Sequence, residues 1–191
     1  MIHEFSPQRG FTLVEAMVTV SVTVILAATV TIGWQALIDR TTAYRAQSTL
    51  TQSFADARSQ AITDREITTL CPLDDQLDCS SNWDRPISVF VDPQNERALT
   101  GNTELVQKHS AVNAGSFRAS YSGPAERRYF QYNPDGSARG TLGHIVWCPD
   151  TGEADRAIQL RMNFGGRITW ARDRDSDGIR EDANNQPLTC P

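Results

Sequence analysis

The chain has 191 residues, a length that accommodates one ordinary domain with an appendage. Hydrophobic residues make up 39% of the sequence and charged residues 21%, which excludes a wholly disordered chain and a membrane protein with many spans. The formal net charge of -5 argues against a protein that coats nucleic acid through a general positive charge.

The first feature along the chain is an apolar run near the N-terminus. Residues 16–38 contain no charge and are bounded by Glu15 and Asp39. As an α-helix this run would be roughly 35 Å long, enough to cross a bilayer. The apolar region of a secretory signal peptide is shorter, about 7 to 15 residues, and precedes its cleavage site. The sequence therefore predicts a membrane helix that stays attached to the mature chain.

The residues just before this run form a motif, Arg9-Gly10-Phe11-Thr12-Leu13-Val14-Glu15. The motif resembles the type III signal of type IV prepilins and pseudopilins. This resemblance implies that prepilin peptidase removes a leader of residues 1–10 by cleaving after Gly10, and that the new N-terminal residue, Phe11, is methylated. Residues 11–38 would then form the transmembrane and pilus-assembly helix.

Glu15 would be the fifth residue of the mature chain. A carboxylate near the start of a membrane helix is unfavourable unless it is paired. The resemblance implies that Glu15 attracts the positively charged N-terminal amine of a neighbouring subunit, which makes it the predicted assembly residue. The alternative is an ordinary acid at a helix start, lying in the lipid headgroup region.

Apolar residues continue at helical spacing beyond this run. The spacing of four, three and four residues is kept by Leu50, Phe54, Ala57 and Ala61. This pattern predicts an amphipathic continuation of the same helix over residues 39–65, with one face packed against the rest of the protein.

After residue 65 the pattern changes to short β-prone runs separated by turn residues. The runs are residues 67–71, 87–91, 128–132, 144–148, 157–162 and 167–171. Turn residues lie between them, as is typical of antiparallel hairpins, at Asp92-Pro93, Asn133-Pro134-Asp135-Gly136 and Gly165-Gly166. Residues 100–123 fit either irregular strands or a long loop. The sequence therefore predicts an α+β fold in which the long helix packs on an antiparallel β-sheet head, residues 66–191.

All four cysteines, Cys71, Cys79, Cys148 and Cys190, follow the apolar run, where an exported domain meets an oxidising compartment. Three pairings are available, and spacing does not decide rigorously among them. Proximity favours a Cys71–Cys79 pair, with Cys148 and Cys190 holding the C-terminal tail. The chain lacks a Cys-x-x-Cys or Cys-x-x-His pair, which disfavours zinc.

The order of motifs in the rest of the chain carries a second resemblance. The motifs are Phe54-Ala55-Asp56-Ala57-Arg58-Ser59-Gln60-Ala61-Ile62, Trp83 ahead of Val89-Phe90-Val91-Asp92, Tyr132-Asn133-Pro134-Asp135-Gly136, and Gly166-Arg167-Ile168. Together they resemble the GspH/FimT family of minor pilins and pseudopilins, whose fold is a long helix against two β-sheets. The resemblance implies a FimU-like minor pilin that helps initiate or cap a type IV pilus; a GspH-like pseudopilin of a type II secretion system is the alternative.

The same resemblance implies partners and a location. The partners would be other minor and major pilins and prepilin peptidase. Before assembly the chain would cross the inner membrane once, with a periplasmic head. After assembly it would lie in a cell-surface pilus or a periplasmic pseudopilus.

Some members of this family bind DNA through a basic Gly-Arg-x-Arg element near the C-terminus. Gly166-Arg167 lies at the matching place, but the second arginine is absent. Arg172 and Arg174 follow, with aspartates between them that oppose contacts with phosphates. A FimT-like DNA-uptake subunit that contacts DNA through these arginines is therefore a disfavoured alternative.

The tail also contains a pattern typical of calcium loops. Alternating acids followed by a glycine form the first half of such a loop, namely Asp173, Asp175 and Asp177. The twelfth position holds Asn184 instead of a bidentate acid, although Glu181 or Asp182 would be available in another geometry. Calcium is thus an alternative to a solvated acidic turn, and the sequence predicts no other cofactor.

The rival class is an enzyme. The sequence contains neither a Gly-x-Ser-x-Gly elbow nor a His-Glu-x-x-His motif, and no glycine-lysine phosphate loop. Beyond the leader the histidines are His109 and His144, and a histidine in or beside a strand is usually structural. We therefore predict a protein that is not an enzyme. After a pilus subunit and an enzyme, the third class of function is a membrane-anchored binding protein unrelated to fibres.

Overall fold

The computed structural model describes residues 11–140 and 142–190, and for residues 28–40 it describes the backbone without the side chains. The predicted leader with Gly10 lies outside the described residues, as does the terminal Pro191. The chain divides into two compact units, Met1–Ile38 and Asp39–Pro191, and each is described by itself.

One long α-helix, α1, runs over Leu13–Asp64. Thr12 caps its start, because the Thr12 hydroxyl accepts a hydrogen bond from the backbone N–H of Glu15 at 3.3 Å. The helix ends just before Arg65, whose φ of 58° is the left-handed conformation that commonly closes helices. These bounds lie close to the predicted ones.

The first part of α1 coincides with the predicted membrane span, residues 11–38. Within the part of the chain that the structure describes, no helix is both long enough and apolar enough to cross a membrane. The side chains of residues 28–38 lie outside the described residues, and the predicted span stays a prediction.

Two four-stranded antiparallel sheets follow α1. The first consists of β1 (Thr68–Pro72), β2 (Ile87–Val91), β3 (Glu104–His109) and β7 (Phe130–Tyr132), in the order β3-β2-β1-β7. The second consists of β4 (Gly115–Ala119), β8 (Gly143–Pro149), β9 (Ile158–Met162) and β10 (Ile168–Trp170), in the order β10-β9-β8-β4. A small hairpin of β5 (Tyr121–Ser122) and β6 (Ala125–Glu126) and a 3-10 turn, Ala154–Arg156, complete the described elements.

All six predicted runs form strands, with bounds that differ by no more than a few residues. The segment that the sequence left open, residues 100–123, contains β3, β4 and β5. The predicted α+β fold of a long helix on antiparallel sheets is confirmed.

The core is built on one face of α1. This face is formed by residues that are at most 1% exposed, namely Ala46, Leu50, Phe54, Ala57 and Ala61. Phe54 packs edge-on against Phe130 of β7, with ring centroids 5.1 Å apart, and Phe130 packs edge-on against Trp83 at 5.6 Å. Side chains of both sheets join the same cluster. The predicted apolar stripe is therefore the surface on which both sheets meet the helix.

Two glycine turns and one arginine fix the sheets next to α1. The first turn, at Gly136, follows β7, and the second, at Gly166, connects β9 and β10; their φ angles are 75° and 71°. A Cβ atom at Gly166 would lie 2.1 Å from the Gly136 carbonyl oxygen, so this approach requires glycine. Arg58 of α1 donates to the carbonyl oxygens of Gly136 at 3.0 Å and of Gly165 at 3.3 Å. One side chain thus joins the helix to a turn of each sheet.

A buried carboxylate organises the turn after β2. Asp92 is 0% exposed and accepts hydrogen bonds from the Thr69 hydroxyl at 2.8 Å, the Glu96 backbone N–H at 2.7 Å and the Arg97 backbone N–H at 3.0 Å. Such bonds offset the removal of the charge from water. The predicted turn residue is therefore also an anchor between β1 and the loop that leads to β3.

Two disulfides are present, Cys71–Cys79 and Cys148–Cys190, with Cα–Cα distances of 5.5 and 5.7 Å. These are the pairs that proximity favours. The second bridge joins residues 42 positions apart and fastens the C-terminal tail to β8. Next to it a small apolar cluster includes Ala157, Ala171 and Leu188, so both a covalent bond and packing hold the tail.

Replacing the central aromatic residue of the stripe tests its role. We expect Phe54→Ala to lower the free energy of unfolding by about 3 to 5 kcal/mol, because a buried ring is lost and a cavity remains. The measurement is urea unfolding of the full chain in mild detergent, followed by the fluorescence of the buried Trp83 and Trp147. Phe164→Ala is the matched control, since that ring is 70% exposed. Equal losses in the two variants would contradict this account of the core.

Removing the long-range disulfide tests how the tail is held. In the chain-entropy model, the double variant Cys148→Ala and Cys190→Ala lowers the free energy of unfolding by about 4 kcal/mol. The double variant Cys71→Ala and Cys79→Ala lowers it by about 2.5 kcal/mol, because the Cys71–Cys79 bridge closes a shorter loop. Unfolding under non-reducing conditions measures both. A larger loss from the short bridge would show that loop length does not govern the contribution of these bonds.

Candidate functional site

The N-terminal end of α1 places the predicted processing and assembly residues close together. Phe11 is 81% exposed and lies just before the capping residue Thr12. Glu15 lies in the first turn of the helix. The predicted new N-terminus and the predicted assembly carboxylate are therefore about one helical turn apart on the same chain.

The helix surface that follows is apolar on all sides. Its large side chains are between 49% and 81% exposed, namely Phe11, Leu13, Val14, Met17, Val18, Val20, Val22, Val24, Ile25 and Leu26. A helix that is hydrophobic all round is normally buried in a large core or a membrane. Here the same surface is available to other chains or to lipid.

The hydroxyl groups of this segment bond to the helix itself. Thr19 donates to the Ala16 carbonyl oxygen at 3.0 Å, and Ser21 donates to the Met17 carbonyl oxygen at 2.7 Å. Thr23 bonds in the same way to the preceding turn. Because these polar groups are satisfied within the helix, they do not oppose apolar contact.

Glu15 is the one charged residue in the sequence of residues 11–38. Its carboxylate can therefore form a charge pair at one defined position of a helix surface that otherwise offers only apolar contacts. Apolar packing alone permits sliding along the helix axis, whereas a charge pair fixes one register. The Thr12 cap was not predicted, although the Thr-x-x-Glu spacing of Thr12 and Glu15 is a known signature of a helix start.

The acids of the C-terminal tail lie together. Asp173, Asp175 and Asp177 are exposed, and the structure adds Glu181 to them. The other acid that the sequence offered, Asp182, accepts backbone N–H bonds from Gln186 at 2.9 Å and Asn184 at 2.7 Å. These bonds hold the pKa of Asp182 below its ordinary value and assign it to the following turn.

The three arginines proposed as DNA contacts, Arg167, Arg172 and Arg174, are exposed. Arg167 lies in the turn before β10, whereas the other two flank Asp173 in the tail. The Arg174 guanidinium donates to the Asn185 side chain. Asp173 lies between Arg172 and Arg174, and DNA contact at the three arginines stays a disfavoured alternative.

Both histidines beyond the leader lie on strands. His109 Nε2 is 3.0 Å from the Asp56 carboxylate of α1, which makes a contact between β3 and the helix. Burial lowers the pKa of His144 below its ordinary value, so its neutral form is favoured. Both placements fit the structural role that the sequence predicts.

The family model described as type II transport protein GspH matches residues 46–166, more than half of the chain. The chain belongs to the GspH family. The prokaryotic N-terminal methylation motif matches residues 5–31, a range that contains Gly10, Phe11 and Glu15. The predicted family is thus confirmed.

Solved structures of two such subunits are similar to the chain. Two crystal forms of the type IV minor pilin FimU from Pseudomonas aeruginosa PAO1 match at 18% identity with a TM-score of 0.48, covering 76% of this chain and 94% and 99% of the FimU chains. The minor pseudopilin EpsH from the type 2 secretion system of Vibrio cholerae matches at 13% identity with a TM-score of 0.45, covering 65% of this chain and 91% of EpsH. No significant match was found among curated protein sequences.

Family membership and the methylation motif together assign the chain to the minor type IV pilins and pseudopilins. Members of this GspH family are structural subunits that assemble with other pilins. The motif indicates processing by prepilin peptidase.

Proposed function

We propose that this GspH-family subunit is a minor type IV pilin, a non-catalytic component that helps initiate or cap pilus assembly. The observation that carries the proposal is the apolar helix surface of residues 11–27, on which Glu15 is the single charged group. Such a surface is suited to packing against equivalent helices of other subunits. Before assembly, residues 11–38 would hold the chain in the inner membrane, with the head in the periplasm.

Processing prepares the partner of Glu15. Cleavage after Gly10 creates a positively charged amine at Phe11, and methylation leaves that charge in place. In an assembled fibre the amine of one subunit lies against the Glu15 carboxylate of its neighbour. In apolar surroundings an unpaired charge of either sign is strongly unfavourable, so the pair selects the register in which both charges are matched.

The contact is heterologous, because the amine of one subunit meets the carboxylate of the next. Repetition of such a contact generates an open helical fibre instead of a closed ring. The head then selects the neighbours, which we propose to be other minor pilins and the major pilin. DNA contact through Arg167 is not included, because the aspartates around the neighbouring arginines oppose it.

We favour the pilus over a secretion pseudopilus because of the head. Its two disulfides and its extended C-terminal tail, tethered through Cys190, resemble the pilus branch of the family more than the pseudopilin branch. A GspH-like pseudopilin of a type II secretion system is the alternative. The apolar helix surface and Glu15 would act in the same way in the assembly of a pseudopilus.

Removing the Glu15 charge tests the assembly mechanism. We expect Glu15→Gln to decrease the amount of the chain in sheared surface fibres at least about tenfold, because the amine of the neighbour loses its partner. Glutamine keeps the size of the side chain, and the Thr12 cap is unaffected, so the helix start is preserved. Intact-mass spectrometry of membrane and fibre fractions measures both the amount and the N-terminal residue.

Two controls accompany this test. Glu104→Gln removes an exposed carboxylate from β3 and should leave incorporation unchanged. A strain without prepilin peptidase should retain a chain that begins at Met1, whereas the wild-type strain yields methylated Phe11. An unprocessed wild-type chain, or normal incorporation of Glu15→Gln, would refute the proposed mechanism.

Deletion of the gene distinguishes a minor pilin of a type IV pilus from a pseudopilin of a type II secretion system. For a minor pilin we expect loss of surface pili, normal export of type II secretion substrates, and recovery of the wild-type chain from sheared fibres. Electron microscopy and the protein content of the medium measure these outcomes. Normal piliation with retained secretion substrates would assign the chain to the pseudopilus instead.

A further inference from the structure

The tail carries a cluster of four carboxylates. Asp173, Asp175, Asp177 and Glu181 each offer an oxygen atom, and these oxygens all lie within 4.8 Å of one another. The three aspartates are exposed, whereas Glu181 is only 5% exposed. Ionised carboxylates at this separation repel one another; backbone N–H groups that donate to the three aspartates offset part of this repulsion, and a cation among the four groups would offset the rest.

Glu181 provides a separate observation that points to a ligand. Its Oε2 atom accepts a hydrogen bond from the Arg174 backbone N–H at 2.8 Å. Its Oε1 atom is enclosed and has no hydrogen-bond partner among the described residues. A buried carboxylate oxygen without a donor destabilises the folded chain, and a bound cation removes that penalty.

Two of the neighbouring guanidinium groups, those of Arg174 and Arg180, are directed to other partners. Arg174 donates to the Asn185 side chain. Arg180 donates to the carbonyl oxygens of Ala157 at 2.8 Å and Asp155 at 3.3 Å. These bonds fasten the tail to the 3-10 turn and hold both positive charges in other contacts.

We propose that Asp173, Asp175, Asp177 and Glu181 bind one calcium ion. Calcium prefers carboxylate and carbonyl oxygens at 2.3–2.6 Å, so ligands on opposite sides of the ion are up to about 5 Å apart. The shell around magnesium is only about 4 Å across and requires near-octahedral geometry. The four oxygens lie within the span of a calcium shell, and the exposed, adaptable aspartates fit the ion that tolerates the more flexible geometry.

Calcium binding would hold together the loop of residues 173–181, whose two ends already lie side by side. The Glu181 backbone N–H donates to the Arg172 carbonyl oxygen at 3.1 Å, which brings the ends of the loop together. Further along, the Leu188 N–H donates to the Arg180 carbonyl oxygen at 2.8 Å, and the tail ends in the Cys190 bridge. Calcium thus acts with the disulfide to order the tail, independently of the proposed assembly role.

Calcium titration of the full chain in mild detergent tests the site. The protein is purified with its disulfides intact, treated with EGTA and dialysed, and CaCl2 is then added in a calorimeter. We expect one ion per chain with a Kd of about 10⁻⁴ M, as in extracellular modules. Calcium at a hundred times the Kd should raise the Tm by roughly 5 to 10 °C, and MgCl2 at the same concentration should raise it less.

Variants assign the binding to these residues. Glu181→Gln and Asp175→Asn should each weaken calcium binding at least about tenfold, whereas Asp150→Asn, an exposed acid in another turn, should bind as the wild type does. Near-UV circular dichroism checks the fold, and the exposed Asp175 keeps the test valid if Glu181→Gln does not fold. Absence of binding to the wild-type chain, or binding that neither variant weakens, would overturn the proposal.

Discussion

The apolar stripe of α1 is the constraint on which the arrangement of the head depends. Its alanines contribute small buried side chains, while Leu50 and Phe54 pack in the same apolar cluster as residues of both sheets. Neither sheet has another helix to cover its inner face among the described elements. The contacts of Arg58 with Gly136 and Gly165 add direction to this packing, because they align one turn of each sheet with the same position on the helix.

Much of the fold could be predicted because its determinants are local. Apolar residues at helical spacing predicted the stripe, and short β-prone runs separated by turn residues predicted six strands. Strand β3 lies in the segment that the sequence left open, because it is an edge strand with mostly exposed residues and its sequence lacks an apolar alternation. Its pairing with β2 depends on backbone bonds that any sequence can make. Likewise the Asp92-Pro93 turn was predicted, but burial of Asp92 depends on contacts with Thr69, which is distant in the sequence.

The candidate sites were predictable to different degrees. Gly10, Phe11 and Glu15 stand in one contiguous motif, so the resemblance of that motif to the prepilin signal was enough to predict them. The acids of the tail alternate in sequence, but the choice between Glu181 and Asp182 depends on how the tail folds back on itself. Pairing of residues 172 and 181 directs Glu181 toward the aspartates, while backbone donors engage Asp182. No local pattern in the sequence distinguishes Glu181 from Asp182 as the acid that joins the three aspartates.

The placement of the disulfides determines how the head would carry mechanical load. Neither bridge includes a residue of α1, so a pull along the helix reaches the head through the packed stripe, the side-chain contacts of Asp56 and Arg58, and the peptide connection to β1. Strand β1 is paired on both sides, by β2 and β7, and therefore resists being drawn out of its sheet. If β1 did yield, the bond from Cys71 to Cys79 lies next in line and would limit how far the chain extends. In an assembled fibre under tension, the loop of residues 71–79 would therefore stay closed, because the bond that closes it is covalent.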